Sequence, residues 1–487
     1  MGSVVGAGIL SVITESLYDN PIVVFREYVQ NSVDSIFKRI DYKALCRIEI
    51  TYKNGNLMFI DNGAGISKEE FKDEMIKISA SRKSRQSNLG YKGIGRLSGI
   101  PYCEELIFVN ITDYKSHNVQ VYRINCEEYN NIKKDVEYHS MGFEDVMNRI
   151  GRCEEISIVQ DSLIDECINR HHKMLEVTNT GFLVVLRNLT SVLKNIVVKE
   201  NDIVEDLEWL LPINFKDDLF QINQKDLFEE MVNVSFDGDI PVKYCDIFYN
   251  GRKLFRPITS SMLRQYVCKC DFQYAIGFHS FDGNKIAINK NNTFSGIRIY
   301  MDNMLLCDES ELLSALENYG LLRHTKNGLL QTVRGIGAMI YITDKVNISS
   351  NARRTFIEVT DDDALKLLKL LAQFLDVLYD TRYALSNYAS QKAKHDNNTD
   401  KLNGLRNEAV RCMQLLARET IELQEDQQED FNALNDIEKK KIIKKRIVQN
   451  LDDRIKEYLK DTVDYDKDNA FKKFLVWLFE KDRMERS

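Results

Sequence analysis

The stretch Phe25-Arg26-Glu27-Tyr28-Val29-Gln30-Asn31-Ser32-Val33-Asp34-Ser35-Ile36-Phe37 repeats its apolar side chains at the period of a helix. At about 100° per residue, Phe25, Val29, Val33 and Ile36 fall on one side, and Glu27, Asn31 and Asp34 share a narrow arc on the other. Asn20 suits an N-cap and Pro21 a first turn, so the spacing predicts a helix from Pro21 to about Arg39. Any solvated helix face shows the same pattern. This stretch alone therefore leaves open whether its polar arc faces water or a site.

The next segments narrow the choice. Arg47–Tyr52 and Leu57–Ile60 read as strands, joined as a hairpin by Lys53-Asn54-Gly55-Asn56. The second strand runs into Asp61-Asn62-Gly63-Ala64-Gly65. A carboxylate at a strand end can accept a hydrogen bond from an amino group. The flanking glycines permit positive φ and let a flat ring approach the backbone. Asp-Asn-Gly is also good turn chemistry, so the motif has a plainer reading too. Lys68–Ser79 is expected to be helical. A polar, glycine-rich stretch follows to Gly99, and Gly181–Leu186 is a buried-strand candidate.

The third segment is Gly90-Tyr91-Lys92-Gly93-Ile94-Gly95-Arg96. Three glycines in six residues can expose backbone N–H groups to phosphate, and a helix beginning there adds its positive dipole end. The basic stretch Ser79–Arg85 before it suits a lid folding over phosphates. The segment is too short for a P-loop, and no strand precedes it as a dinucleotide fingerprint requires.

Order and spacing of the three segments resemble the GHKL ATPase superfamily with its Bergerat ATP-binding fold. That group includes Hsp-ninety-type chaperones, MutL proteins, type II topoisomerase ATPase subunits, MORC proteins and sensor histidine kinases. Hsp-ninety-like and HtpG-like bacterial proteins are the closest in look. The three boxes are Glu27-x-x-x-Asn31-x-x-Asp34, Asp61-x-Gly63-x-Gly65, and the lid end with Gly90, Gly93 and Gly95. The resemblance covers roughly residues 8–110, and its domain is expected to reach about residue 200.

This resemblance implies ATP and Mg²⁺ as cofactors, with a role for each residue. Glu27 would be the general base for the attacking water. Asn31 would bind Mg²⁺, which keeps most of its waters and bridges the phosphates. Asp61 would accept the adenine amino group, and Gly65 would sit against the ring. Gly90, Gly93 and Gly95 would cradle phosphates through backbone N–H groups, and Lys92 would neutralise their charge. Asp34 would support the site. Gly63, Ile66, Lys83 and Ile94 complete the expected nucleotide-binding set. Several family members carry a Gly-Thr pair on a later strand, with the threonine helping to bind adenine. Here the match is Thr180-Gly181-Phe182, with phenylalanine in the threonine's place. Sensor kinases generally lack a glutamate at the position of Glu27, so the resemblance implies ATP hydrolysis rather than phosphotransfer.

In several branches a second domain sends a basic residue to the γ-phosphate, where charge develops. The candidates are Arg353 and Arg354 in Asn351-Ala352-Arg353-Arg354-Thr355-Phe356, with Lys345 as the alternative. A pair of surface arginines would look the same.

The 487 residues are 44% apolar and 29% charged, which fits a globular chain of two or three domains. Five prolines and no Pro- or Ser-rich linker suggest domains packed together. We expect an α+β fold: an N-terminal Bergerat α/β sandwich with a mixed, mostly antiparallel sheet (1–204), an α/β middle domain (205–358) and a helical C-terminal region (359–487). Strands are expected at Val242–Tyr249, Ser295–Met301 and Ala338–Thr343, with a helix at Glu309–Tyr319. Helices are expected over 363–392, 398–428 and 431–460. A net charge of −8 argues against nucleic acid as the dominant partner, and the basic run Lys439–Arg446 reads as a solvated helix face. The ten cysteines, scattered apart from Cys268 and Cys270, read as reduced thiols of a cytoplasmic protein. No stretch is long and apolar enough for a membrane span, and the N-terminus reads as part of the fold. His171-His172 has no ligand at useful spacing.

The function expected from the resemblance is an ATP-gated clamp, a homodimer like the Hsp-ninety-type chaperones or a stress or antiviral (phage) defence ATPase. Gly8–Tyr18 would be its exchanging element and the C-terminal helices a surface for a protein client. The alternatives are a MutL- or MORC-like DNA-associated clamp and a scaffold that senses nucleotide without turnover.

Overall fold

The computed structural model of the chain describes residues 6, 8–11, 20–39, 46–76, 95–135, 138, 140–213, 245–256, 264–269, 273–279, 296–301, 304–333, 337–342, 349–350, 357–358, 362–394, 399–428, 453, 455–459 and 474. Its contacts divide the chain into two units, Met1–Asn214 with Val242–Pro257, and Phe215–Pro241 with Ile258–Ser487.

The first unit is built on an eight-stranded mixed sheet. Its strands are β1 (Arg47–Lys53), β2 (Asn56–Asp61), β3 (Cys103–Ile111), β4 (Asn118–Asn125), β5 (Gly151–Ser157), β6 (Gly181–Leu189), β7 (Asp246–Tyr249) and β8 (Arg252–Lys253). They lie in the order β5-β4-β3-β6-β2-β1-β7-β8. Neighbours are antiparallel except β1 and β7, which run parallel. The β1–β2 turn has positive φ at both Asn54 and Gly55, the backbone that a two-residue hairpin of type I′ needs.

Both sheet faces are covered, so strands such as Leu57-Met58-Phe59-Ile60 are apolar throughout. Met58 and Ile60 join Ile107, Val109, Leu183 and Val185 in a core with α6 (Ser162–Arg170) and α7 (His172–Thr178). Phe59 points the other way and meets Phe25 and Tyr28 of α2 (Val23–Phe37) at ring-centroid distances of 5.5 and 5.3 Å. This face carries the candidate site.

Several elements differ in detail from expectation. α2 begins at Val23, and Asn20 caps the preceding turn, its side chain accepting from the Ile22 N–H at 3.1 Å. The helix expected over Lys68–Ser79 is described only as α3, Phe71–Ile76, because residues 68–70 form a turn on the Ser67 carbonyl. Residues 77–79 lie outside the described residues. The strand at Gly181 runs on to Leu189. The strand expected from Val242 is described from Asp246 and joins the first sheet, because β1 offers it an open edge in the register Arg47↔Asp246. Helix Glu200–Leu210 continues through residue 204 in the same unit.

The second unit contains a five-stranded mixed sheet of β9 (Arg264–Lys269), β10 (Gln273–His279), β11 (Gly296–Met301), β12 (Met304–Cys307) and β13 (Gly337–Ile342), in the order β12-β11-β13-β10-β9. Helices Glu309–Asn318, Asp362–Ala393 and Thr399–Gln428 lie close to their expected bounds. Ile297 and Ile299 of β11 share one core with Leu312, Leu316, Leu371, Leu375, Met413 and Leu416. The Thr381 hydroxyl ties the two long helices by donating to the Cys412 carbonyl at 3.1 Å. Residues 395–398 and 439–446 lie outside the described residues.

Candidate functional site

α2 is buried on both sides. Phe25, Val29, Val33 and Ile36 are fully buried, as expected of the sheet-facing stripe. The opposite arc is not solvated either: Glu27 is 6% exposed and Asp34 2%. Among the described residues the Glu27 carboxylate has no hydrogen-bonding or ionic partner. Enclosing a carboxylate without a partner is costly.

Gly95 packs directly onto Glu27. A Cβ on Gly95 would stand 1.8 Å from Glu27 Oε2, so no larger residue fits while the carboxylate keeps its place. Gly95 opens a 3₁₀ helix, Gly95–Tyr102, and Tyr28 clips that helix to α2. The Tyr28 hydroxyl donates to the Arg96 carbonyl at 3.1 Å and accepts from the Gly99 N–H at 3.0 Å. Burial pushes the Tyr28 phenol well above its ordinary pKa, so it stays a neutral donor. Glu27 and Tyr28, neighbours on α2, thus hold the first and third sequence boxes together.

The second box lies at the end of β2. Asp61 is 2% exposed, and Oδ1 accepts from the Gly63 N–H at 2.8 Å. Burial raises its carboxyl to about 6, against the pull of hydrogen bonds from Ser32, Gly63 and the Phe182 backbone and of the Arg39 charge. The turn beyond it is pinned from two sides. Ser35 of α2 accepts from the Ala64 N–H through its carbonyl and from the Gly65 N–H through its hydroxyl. Asn110 of β3 accepts from the Ile66 N–H at 2.9 Å and donates to the Ile66 carbonyl at 2.7 Å. Gly65 has φ +68°, and a Cβ there would also meet Asn110 Oδ1 at 2.8 Å. A Cβ on Gly63 would strike Ser35 Oγ at 2.3 Å. Two glycines are therefore required by close approach.

Across the sheet, Asp61 pairs with Phe182 and Phe182 with Asn110. Residues directly opposite in antiparallel strands share a face, so this row lies on the face of α2. The Thr180 hydroxyl donates to the Gly63 carbonyl at 2.8 Å.

The structure thus brings together Glu27, Asp34, Asp61, Gly63, Gly65, Ile66 and Gly95 around α2 and the end of β2. Asn31 lies one turn beyond Glu27 on the same helix, half-buried. Lys83, Gly90, Lys92, Gly93, Ile94, Lys345, Arg353 and Arg354 lie outside the described residues. Sequence reasoning missed Tyr28, Ser32, Ser35 and Asn110. Asn110 did leave a signal, an amide between the apolar run Leu106-Ile107-Phe108-Val109 and Ile111. His171 belongs to the other face. Its Nδ1 is 2.8 Å from the Cys167 carbonyl and its Nε2 3.9 Å from Glu49, and burial lowers its pKa. Among the described residues no group of three or more His, Cys, Asp or Glu could hold a metal ion.

A buried carboxylate against a glycine-opened helix, and a second carboxylate beside a pinned glycine turn, thus share one face of the sheet. Residues 19–152 match the family model described as histidine kinase-, DNA gyrase B-, and HSP90-like ATPase. This region is of the GHKL ATPase type, and the chain resembles HtpG-like proteins. Among curated proteins it is similar to the chaperone protein HtpG of Acinetobacter baylyi, with 27% identity over 124 residues. That match spans 20% of this chain and 19% of the relative. No described helix is long and apolar enough to cross a membrane.

Proposed function

We propose that the chain binds ATP with Mg²⁺ and hydrolyses it, using the cycle as a conformational clamp. The observation that carries this reading is the burial of Glu27, without a partner among the described residues, against Gly95 and on the face that also holds Asp61. Asp61 accepts the adenine amino group, and the Gly63–Gly65 turn lies against the ring. Glu27 takes a proton from the attacking water, which a structural carboxylate in an ion pair would be poorly placed to do. Gly90, Gly93, Gly95 and Ile94, with Lys83 and Lys92, hold the phosphates.

The donor set fits a Mg²⁺ that arrives with the nucleotide. Asn31 supplies one amide oxygen, and phosphates and water supply the rest, which suits an ion that dehydrates reluctantly. When bound, Mg²⁺ neutralises phosphate charge. Arg353, Arg354 or Lys345 supplies the γ-phosphate cation in this reading. The boundary expected at 204 moves past helix Glu200–Leu210 to about residue 214, the β7–β8 hairpin goes to the ATP-binding domain, and the boundary at 358 is kept. The similarity to a chaperone favours an ATP-linked homodimer working in the cytoplasm; in this reading the C-terminal helices grip a protein client, and a stress or phage-defence protein would share the design.

Phosphate release is to be measured in Mg²⁺ and in EDTA, with molar mass recorded beside it with and without a non-hydrolysable ATP analogue. Magnesium-dependent release and ATP-induced doubling of mass are expected. Release that ignores EDTA removes the metal from the account, and an unchanged mass removes the clamp.

A further inference from the structure

Phe182 stands in the row Asp61–Phe182–Asn110, directly across from the carboxylate assigned to the adenine amino group. Its ring meets Phe71 of α3 at 6.3 Å and Phe108 of β3 at 6.4 Å between centroids. Those two neighbours are buried, whereas Phe182 keeps part of its surface exposed. A ring that only filled the core would be closed off like them. This one is the partly exposed end of an aromatic cluster, on the site face, beside Asp61. The neighbouring Thr180 hydroxyl is turned to the Gly63 carbonyl, to which it donates at 2.8 Å, and Ser32 of α2 supplies the hydroxyl that meets Asp61.

We infer that Phe182 determines which purines the site accepts, its ring forming a wall that bars substituents on the amino nitrogen facing Asp61. The ligand is then an adenine nucleotide with a free amino group. Recognition combines one acceptor, Asp61, with steric exclusion by an aromatic ring. Exclusion of this kind discriminates through a clash with the wrong ligand, not an added contact to the right one. The inference rests on the ATP-binding reading above.

The test titrates the full chain, as wild type, Phe182→Ala and Phe182→Thr, with ATP and with N6-benzyl-ATP, and records a thermal melt of each. Wild type is expected to prefer ATP by about tenfold or more, and the variants to shrink that ratio to about twofold. Equal binding of both nucleotides by wild type, or an unchanged ratio in either folded variant, overturns the inference. Threonine is a good strand former, so Phe182→Thr carries the comparison if the alanine variant does not fold. Failure of wild type to bind ATP at all overturns the ATP-site reading itself, and the ATP titration alone reports it.

Discussion

Burial of Asp61 costs the fold stability. Its carboxyl is raised by burial to about 6, so the folded state holds a proton that the unfolded state has already released between roughly pH 4 and 6. Stability from this group is full below that window and is lost as pH rises through it. The raised value corresponds to a cost of about 3 kcal/mol at neutral pH. Asp61→Asn is therefore expected to raise the melting temperature of the nucleotide-free protein at pH 8, with a smaller gain at pH 5, and to abolish ATP binding. Melts at the two pH values and an ATP titration check both halves. Wild-type affinity for ATP is expected to weaken as pH falls below about 6, when the carboxyl takes up its proton. Gly95 makes the second residue-scale prediction. With a Cβ destined for a point 1.8 Å from Glu27 Oε2, Gly95→Ala must displace the carboxylate. Turnover is expected to fall by about tenfold or more, with ATP affinity changed much less, and single-turnover kinetics beside equilibrium binding separate the two.

At the scale of elements, α2 organises the site by touching both of its halves. Tyr28 holds the helix that opens at Gly95, and Ser35 holds the Gly63–Gly65 turn. Tyr28→Phe keeps the ring on Phe59 but leaves the buried Gly99 N–H without its acceptor. A loss of about 1–3 kcal/mol in denaturant unfolding is expected, together with slower turnover. No loss of either kind would show that the clip is incidental. Asn110→Ala should weaken ATP binding while leaving the sheet intact by circular dichroism, since it frees both backbone groups of Ile66. α2 and the β1–β2 hairpin were legible in the sequence because each has a short-range signature: helical period and a turn with positive φ. Ser35 and Asn110 were not, because their partners lie 30 and 44 residues away and only the sheet brings them together.

For the whole molecule, the strand that closes the ATP-binding unit comes from far along the chain. β7 pairs with β1 across some 200 residues, so order along the chain suggested a second domain where the first sheet continues. A fragment ending at residue 257 is expected to fold cooperatively and bind ATP, whereas one ending at 213 leaves the β1 edge bare and should melt lower or aggregate. Light scattering and melting curves of the two fragments compare them. The one measurement that bears most directly on the central claim is steady-state phosphate release by wild type and Glu27→Ala, with ATP binding recorded for both. The predicted result is release slower by about a hundredfold or more in the variant, at little changed ATP affinity. Equal rates in the two proteins would contradict the assignment of Glu27, and with it the hydrolytic site.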